Sequence, residues 1–334
     1  MMSRGLPFLC VLAALACKAP ADVPDADPGD SGADEPSTAT TAVTVFVEPG
    51  DNAKPLLDSI QGATSSIHMT MYLLTSNSYV TALIAKKKAG LDVKVVLNQN
   101  FPTPDQSNAT VFSQLQAGGV DVVWAPPQFT YTHEKAVIVD GTSAWIMTMN
   151  VTFSSPSANR EYLALDTDAD DVAEAEQIFE ADFANTAVTP AGKLVVAPDG
   201  ARDALLTLVN GATTSLDVEG EELSDSAIVS AMVAAHDRGV TVRVVLSDDS
   251  PTSAQANAVQ TLEADGIDVR KLSTPYVHAK TIVADGTLAY VGSENFTANS
   301  LDSNRELGLI VATVSEVSKI DATISGDFGA GVTY

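Results

Sequence analysis

The chain of 334 residues contains the same unit twice. Asp92-Val-Lys-Val-Val-Leu97 matches Thr241-Val-Arg-Val-Val-Leu246, and Val137-Ile-Val-Asp-Gly141 matches Ile282-Val-Ala-Asp-Gly286. Asn159-Arg160-Glu161 matches Asn304-Arg305-Glu306, and Pro49, Ala82 and Gly90 find counterparts in Pro198, Ala231 and Gly239. The unit is about 145 residues long, spanning 43–188 and 189–334, with one intervening loop about four residues shorter in the second copy. Whatever one copy folds into, the other must too, and the two then offer related surfaces to each other.

Within each copy, short β-branched runs alternate with helical patterns. In the first copy, residues 44–47, 66–73, 93–97 and 120–124 read as strands, separated by helical segments near 53–62, 78–88 and 106–117. That order gives α/β units with short crossovers. Beyond residue 130 the strands close up, at 135–139, 143–149 and 161–166, before a helix near 171–184. The expected fold is therefore α/β, two duplicated halves with mixed sheets flanked by helices.

The chain has four histidines, and two occupy equivalent places in the repeats. The first copy reads Tyr131-Thr-His133-Glu-Lys135, with Asp140 and then Asn150 following. The second reads Tyr276-Val-His278-Ala-Lys280, with Asp285 and then Gly292-Ser293-Glu294-Asn295. Residues two apart on a strand point to the same side, so each copy offers an imidazole and an ammonium to one space. Brought together around a pseudo-twofold axis, His133, Lys135, His278, Lys280, Asn150 and Asn295 suit a tetrahedral anion. The lysines and asparagines, with Ser293, are candidates to bind phosphoryl oxygens. One histidine can attack phosphorus while the other protonates the leaving alkoxide. Glu161 and Glu306 are candidates to orient the imidazoles through Nδ1–H. The motif groups Asp140 and Asp285 with the catalytic residues, where they are expected to support the lysines and strand geometry rather than react.

These residues resemble the signature of the phospholipase D superfamily, H-x-K-x4-D-x6-G-S-x-N, present twice in one chain. The second copy, from His278 to Asn295, matches every signature position, while the first has Met147 and Thr148 where the G-S pair is expected. The resemblance implies a bilobed fold with its active site at the pseudo-twofold interface, a covalent phosphohistidine, no metal, no cofactor, and cleavage or exchange of phosphodiesters. By the same analogy His133 is the nucleophile and His278 the general acid.

Other positions carry weaker signals. His68, in an alternating strand, reads as structural, and His236, near a helix end, as a solvated surface residue. Lys86-Lys87-Lys88 end a helix and read as a solvated face favoured by the helix dipole. Glu219 and Glu221, at the positions of Thr70 and Tyr72 in the other copy, are candidates to meet a cationic head group or else form a local loop. Tyr131 and Tyr276 either line the entrance or pack.

The N-terminus reads as an export signal. Arg4 gives a positive start and residues 6–16 an apolar stretch, too short to cross a bilayer but of signal-peptide length. Residues 1–16 are thus expected to be a signal peptide. Cys17 follows Ala14-Leu15-Ala16, which resembles the lipobox of bacterial lipoproteins, with Ala14 where Leu is preferred. The resemblance implies lipidation at Cys17 and a lipoprotein anchored in the cell envelope; without lipidation the protein would be periplasmic or secreted. Both cysteines, Cys10 and Cys17, precede the repeats, so no disulfide or cysteine metal site is expected there. Residues 17–42 read as the lipidation site and a disordered acidic tether.

The formal charge is -25, and only six of the acids (Asp22, Asp25, Asp27, Asp30, Asp34 and Glu35) lie in that tether. The repeats themselves are strongly acidic, which disfavours nucleic acid as a partner, since phosphate backbones require clustered basic surface. No protein partner can be inferred. The expected function is hydrolysis of phospholipid head-group esters through a phosphohistidine. The alternatives are phosphatidyl transfer of the cardiolipin-synthase type, a nuclease of the same superfamily, and a non-catalytic surface binding protein.

Overall fold

A computed structural model describes residues 39–249 and 251–334. Cys17, the signal segment and the tether up to residue 38 lie outside the described residues. The first half contains strands Val43–Glu48, Ser66–Met71, Asp92–Leu97 and Asp121–Trp124, with helices Lys54–Gly62, Asn77–Lys88 and Ala109–Ala117 between them. Strands Lys135–Val139, Ser143–Met147 and Asn159–Asp166 follow, then helix Ala169–Ala184. The second half repeats this series. Local chemistry sets several boundaries. Asp168 accepts from the amides of Asp170 and Asp171, and Asp225 from those of Ala227 and Ile228, satisfying the first turns of two helices. Gly90 and Gly239 follow matched helices at φ 95° and 94°, a region that favours glycine, which explains their recurrence in the repeat.

Each sheet is mixed. In the first, Ser66–Met71, Asp92–Leu97 and Asp121–Trp124 run parallel, and Lys135–Val139 joins Ser66–Met71 antiparallel. In the second, Ser215–Gly220, Thr241–Ser247 and Asp268–Leu272 run parallel, with Lys280–Ala284 antiparallel to the first of them. The helices cross between parallel strands, as that geometry requires. Among the described residues, no helix is long and apolar enough to cross a membrane.

The halves exchange strands. Tyr276–Val277 of the second half adds to the first sheet beside Asn159–Arg160, and Ala39–Thr40 adds to the second sheet beside Ile310–Val311. Ala39–Thr40 belong to the segment expected to be a disordered tether; here backbone pairing gives them an ordered place. Each half has its own core, one around Leu56, Ile67 and Leu83, the other around Leu205, Val218 and Met232. A third core is shared, joining Ile138, Tyr162 and Phe179 to Val283, Leu307 and Ile320. At roughly 1.5–3 kcal/mol for each large apolar side chain fully buried, this shared layer is what unites the halves.

Two ion pairs clasp the same interface. Arg160 reaches Asp327 of the second half's last helix at 2.5 and 3.0 Å, and Arg305 reaches Asp182 of the first half's last helix at 3.0 Å. Both pairs are nearly buried, so removing one partner would strand a charge, a loss of about 3–5 kcal/mol.

Candidate active site

Each histidine is delivered by one half and held by the other. Thr132 pairs with Arg305, and the His133 amide donates to the Arg305 carbonyl at 2.9 Å. Tyr276–Val277 runs along Asn159–Arg160, and the His278 amide donates to the Arg160 carbonyl at 3.3 Å. The segment entering each His-x-Lys motif therefore lies against the Asn-Arg-Glu of the other copy. His133 Nδ1 comes 2.9 Å from Glu306 Oε2, and His278 Nδ1 comes 2.9 Å from Glu161 Oε2.

Both glutamates are fully buried and well supplied with donors. Asn159 Nδ2 and Thr148 Oγ1 donate to Glu161 at 3.0 and 2.5 Å; Asn304 Nδ2 and Ser300 Oγ donate to Glu306 at 3.0 and 2.6 Å. Burial acts to raise the Glu306 carboxyl, but the charges and hydrogen bonds of His133, Lys135 and Ser300 bring it below its ordinary value. An ionised carboxylate on Nδ1 makes that nitrogen the donor and leaves Nε2 facing the site, with a lone pair when the ring is neutral. Burial, reinforced by Lys135 and Lys280, lowers the His133 pKa despite Glu306. The ring is thereby favoured as a neutral base.

Lys135 and Lys280 are buried beside the imidazoles, donating to the carbonyls of His133 at 2.5 Å and His278 at 2.6 Å. Burial, with the charge of Lys280 nearby, brings Lys135 down to about 7. An anion arriving between the lysines would restore its full charge. Lys135 Nζ also sits 5.0 Å over the ring of Tyr72, whose edge meets His133 at 4.5 Å. At the matching place in the second half stands Glu221, accepting from Lys280 Nζ at 2.7 Å and from the Tyr276 hydroxyl at 3.1 Å.

A cavity of about 340 Å³ lies between the histidines, lined by His133, His278, Asn150, Asn295, Tyr72, Tyr131 and Glu221 among others. The Asn150 and Asn295 amide oxygens are buried without a partner. Past Glu221 and Glu222 lies a second, polar recess of about 120 Å³, lined by Gln255 and by Tyr276, whose hydroxyl donates to Asp249 at 2.7 Å. Tyr131 and Tyr276 thus both line the site rather than the sheet interior.

Several expected placements need correction. Asp140 and Asp285 do not support the lysines. A five-residue strand separates each from its motif lysine, roughly 16 Å at the usual rise. Asp140 instead gathers the amides of Thr64, Ser65 and Ser66 and the hydroxyls of the first two, at 2.7–3.0 Å. Asp285 does the same with Thr213, Thr214 and Ser215. Partial burial opposes ionisation, but these hydrogen bonds hold both carboxyls far below their ordinary value. Both take left-handed φ angles, 56° and 54°, so they anchor a turn outside the catalytic centre. Ser293 is not a phosphate ligand either: its buried hydroxyl accepts from the Leu307 amide, while its carbonyl lies 3.2 Å from His133 Nδ1. It braces the histidine from below. Of the two acids offered for a head group, Glu219 faces the interior, accepting from the Tyr162 hydroxyl at 2.6 Å, and burial raises it well above the ordinary range.

His68 is remote from the cavity. Its ring stacks on Phe179 at 4.8 Å, with Nδ1 2.5 Å from Glu176 and Nε2 3.3 Å from Asp92. Ligand atoms of His68, Glu176 and Glu180 lie within 4.8 Å of one another, a spacing a metal ion could use. Lys94, however, donates to Glu180 at 2.6 Å, and the matching place in the second half holds an Arg243–Asp217 ion pair. The cluster is an electrostatic clasp between sheet and helix. Lys86 donates to the Ala63 carbonyl and Lys87 pairs with Asp121, which accounts for two of the three helix-end lysines locally. Arg160, Arg305 and Tyr72 also serve the site without belonging to the His-x-Lys motifs; for the two arginines the repeated Asn-Arg-Glu is the signal in the sequence.

The site can hold a phosphoryl group between two Nε2 atoms, with ammonium and amide groups around its oxygens. Comparison with known proteins agrees with this chemistry. The family model described as "Cardiolipin synthase, PLD-like domain" matches residues 56–183 and again 205–328. The mitochondrial cardiolipin hydrolase of Xenopus tropicalis is 35% identical over 113 residues, 34% of this chain and 53% of that protein, so the match spans about half the relative's length. The minor cardiolipin synthase ClsB of Bacillus subtilis (strain 168) is 22% identical over 315 residues, covering 83% of this chain and 79% of that one. The crystal structure of phosphatidylserine synthase from Haemophilus influenzae Rd KW20 superposes with a TM-score of 0.67 at 12% identity, over 88% of this chain and 87% of that chain, and shares the fold. With one match of the same family model in each duplicated half, together covering most of the sequence, the chain belongs to the phospholipase D superfamily, in the PLD-like domain family described as cardiolipin synthase.

Proposed function

We propose that the protein moves a phosphatidyl group from a phospholipid to an alcohol through a covalent phosphohistidine. The observation that carries this reading is the pair of imidazoles, each with a buried carboxylate on Nδ1, lining one cavity together with the Asn150 and Asn295 amides, with Lys135 and Lys280 buried behind them. His133 Nε2 attacks phosphorus, the bond to the leaving oxygen breaks, and that oxygen takes a proton from His278. His278, now neutral, removes a proton from the incoming alcohol, whose oxygen displaces His133. Lys135, Lys280, Asn150 and Asn295 hold the phosphoryl oxygens throughout.

Transfer is preferred to hydrolysis because the family description and the long cardiolipin-synthase match both point to it, and because the polar recess past Glu221 suits a hydroxyl-bearing acceptor. Hydrolysis, the leading expectation from sequence, becomes the second reading, supported by the cardiolipin hydrolase relative. A nuclease is disfavoured by the cavity wall, which carries Glu221 and Glu222 and no arginine. Export and anchoring through Cys17 remain part of the proposal on sequence grounds.

The test is to incubate the purified protein with phosphatidylglycerol vesicles and excess deuterated glycerol, so that transfer appears as deuterated phosphatidylglycerol, with EDTA, and separately with plasmid DNA. Phosphatidyl transfer to the alcohol is expected. Phosphatidic acid as the sole product would establish hydrolysis, and DNA cleavage without lipid turnover would overturn the lipid reading.

Phe153 is 91% exposed and stands three residues past the cavity-lining Asn150. The acidic surface gives little attraction to anionic lipid, so an exposed phenyl on the segment that follows Asn150 supplies apolar contact with the bilayer. Phe153→Ser is expected to lower turnover on vesicles about 10-fold, the worth of one buried aromatic, and to leave a water-soluble nitrophenyl phosphodiester unaffected. Equal losses on both substrates would count against the contact.

A further inference from the structure

Positions 72 and 221 correspond in the repeat, each directly following the strand beside a His-x-Lys strand, Ser66–Met71 and Ser215–Gly220. Here the twofold relation breaks in charge. On the first half the place is filled by the Tyr72 ring, against His133 and under Lys135. On the second half it is filled by the Glu221 carboxylate, whose Oε2 lies 3.6 Å from His278 Nε2 and 2.7 Å from Lys280 Nζ. Tyr276 holds its other oxygen, and Ser247 donates to its backbone carbonyl.

With Nδ1–H of each ring committed to a glutamate, the two histidines can differ in one respect, whether Nε2 carries a second proton. The charged groups facing His278 are Glu161 on Nδ1, Glu221 toward Nε2, and Lys280. Those facing His133 are Glu306 on Nδ1 and Lys135, with Lys280 and Glu221 acting on it from the other half, while the side chain in direct contact at the matching place is the neutral Tyr72 in place of a second acid. We propose that Glu221 divides the labour between the histidines, holding a proton on His278 Nε2 for the leaving alkoxide and so reserving His133 as the nucleophile. Glu221 acts through His278 and is a positioning residue. Its own carboxyl is half-buried, which opposes ionisation, yet the charges of His278 and Lys280 keep it strongly ionised, as the role requires. Lys280, paired with Glu221 at 2.7 Å, offsets part of the repulsion a carboxylate in the cavity wall would exert on a phosphodiester.

The inference rests on the phosphohistidine reading and makes a claim that reading does not. In the first displacement the His133 Nε2 lone pair forms the P–N bond, the P–O bond breaks, and the alkoxide leaves with the His278 Nε2 proton. A nitrophenoxide departs as the anion and has no use for that proton; a glycerol alkoxide requires it. Single-turnover rates are therefore to be measured with bis(p-nitrophenyl) phosphate and with phosphatidylglycerol vesicles. Glu221→Gln should slow release from the lipid by about 100-fold, a typical loss for impaired acid catalysis, and change nitrophenol release less than about 3-fold. Glu221→Asp should recover part of the lipid rate. Retained nitrophenol release also shows that the variant is folded. In Glu221→Tyr, which copies the first half, peptide mapping should find the phosphoryl group on both histidines. Equal slowing of the two substrates, or unchanged lipid release, would overturn the role of Glu221 while leaving the phosphohistidine reading intact. If the unaltered protein forms no phosphohistidine with either substrate, that underlying reading fails, and this inference with it.

Discussion

Replacing His278 with Asn is expected to yield a protein that accepts a phosphoryl group from bis(p-nitrophenyl) phosphate on His133 and then holds it. The first step survives because nitrophenoxide leaves without a proton. The second stalls because nothing removes the proton from the attacking water or alcohol, a loss of about 10²–10⁴-fold. His133→Asn should abolish both steps, lowering turnover by at least about 10⁴-fold, since the other imidazole in the cavity, His278, has a carboxylate toward its Nε2 and is reserved as the acid. Quenched samples analysed by peptide mapping give the answer. A label on His278 in the His133→Asn protein, with none on His133 in its counterpart, would reverse the roles. The pair of variants also checks the crossed carboxylates: Glu306 holds the histidine expected to carry the label, and Glu161 the one expected to act as acid.

The second large effect concerns stability. Glu134, between His133 and Lys135, points to the opposite side of the strand, into a buried layer with Asp182, Arg305 and Glu306; its counterpart in the second half is Ala279. One of its carboxyl oxygens has no partner. Burial, then the charge of Asp182, pushes its pKa up to about 8 from an ordinary 4.5. Between those two values the folded protein keeps a proton that the unfolded chain has released. Stability from this group is thus full below about pH 4.5 and falls as pH rises toward 8. The loss is about 4–5 kcal/mol near pH 8, large against the usual margin of a domain. Glu134→Gln keeps the size and removes the titration. Denaturation between pH 5 and 8 should show a flatter dependence for the variant, with its advantage greatest at pH 8. Parallel curves would show that Glu134 ionises freely in the fold.

Much of this was legible in sequence because it is local. Alternation and helical spacing depend on neighbours a few residues away, so the strand and helix series of the first half could be read within a few positions, and the mixed sheets followed from their order. The His-x-Lys pairs could be read because spacing by two on a strand is a local fact. Asp140 could not be placed from its spacing: a strand has two ends, and the motif does not say that the carboxylate serves the turn at the far one. Ser293 failed similarly, since a hydroxyl beneath the site and one inside it look alike in a motif.

The sequence by itself determined the duplication, the α/β series in each copy and the set of groups that must meet. Which group meets which was decided only by tertiary structure. Glu161 and His278 are 117 residues apart, Glu306 and His133 are 173 apart, and neither pair is prescribed by any periodicity. They meet because the strand entering each motif pairs with the other copy's Asn-Arg-Glu, a crossing fixed by the shared core and the Arg160–Asp327 and Arg305–Asp182 clasps. The same docking places Glu221 against one histidine and Tyr72 against the other, so two nearly identical motifs come to occupy electrostatically different surroundings.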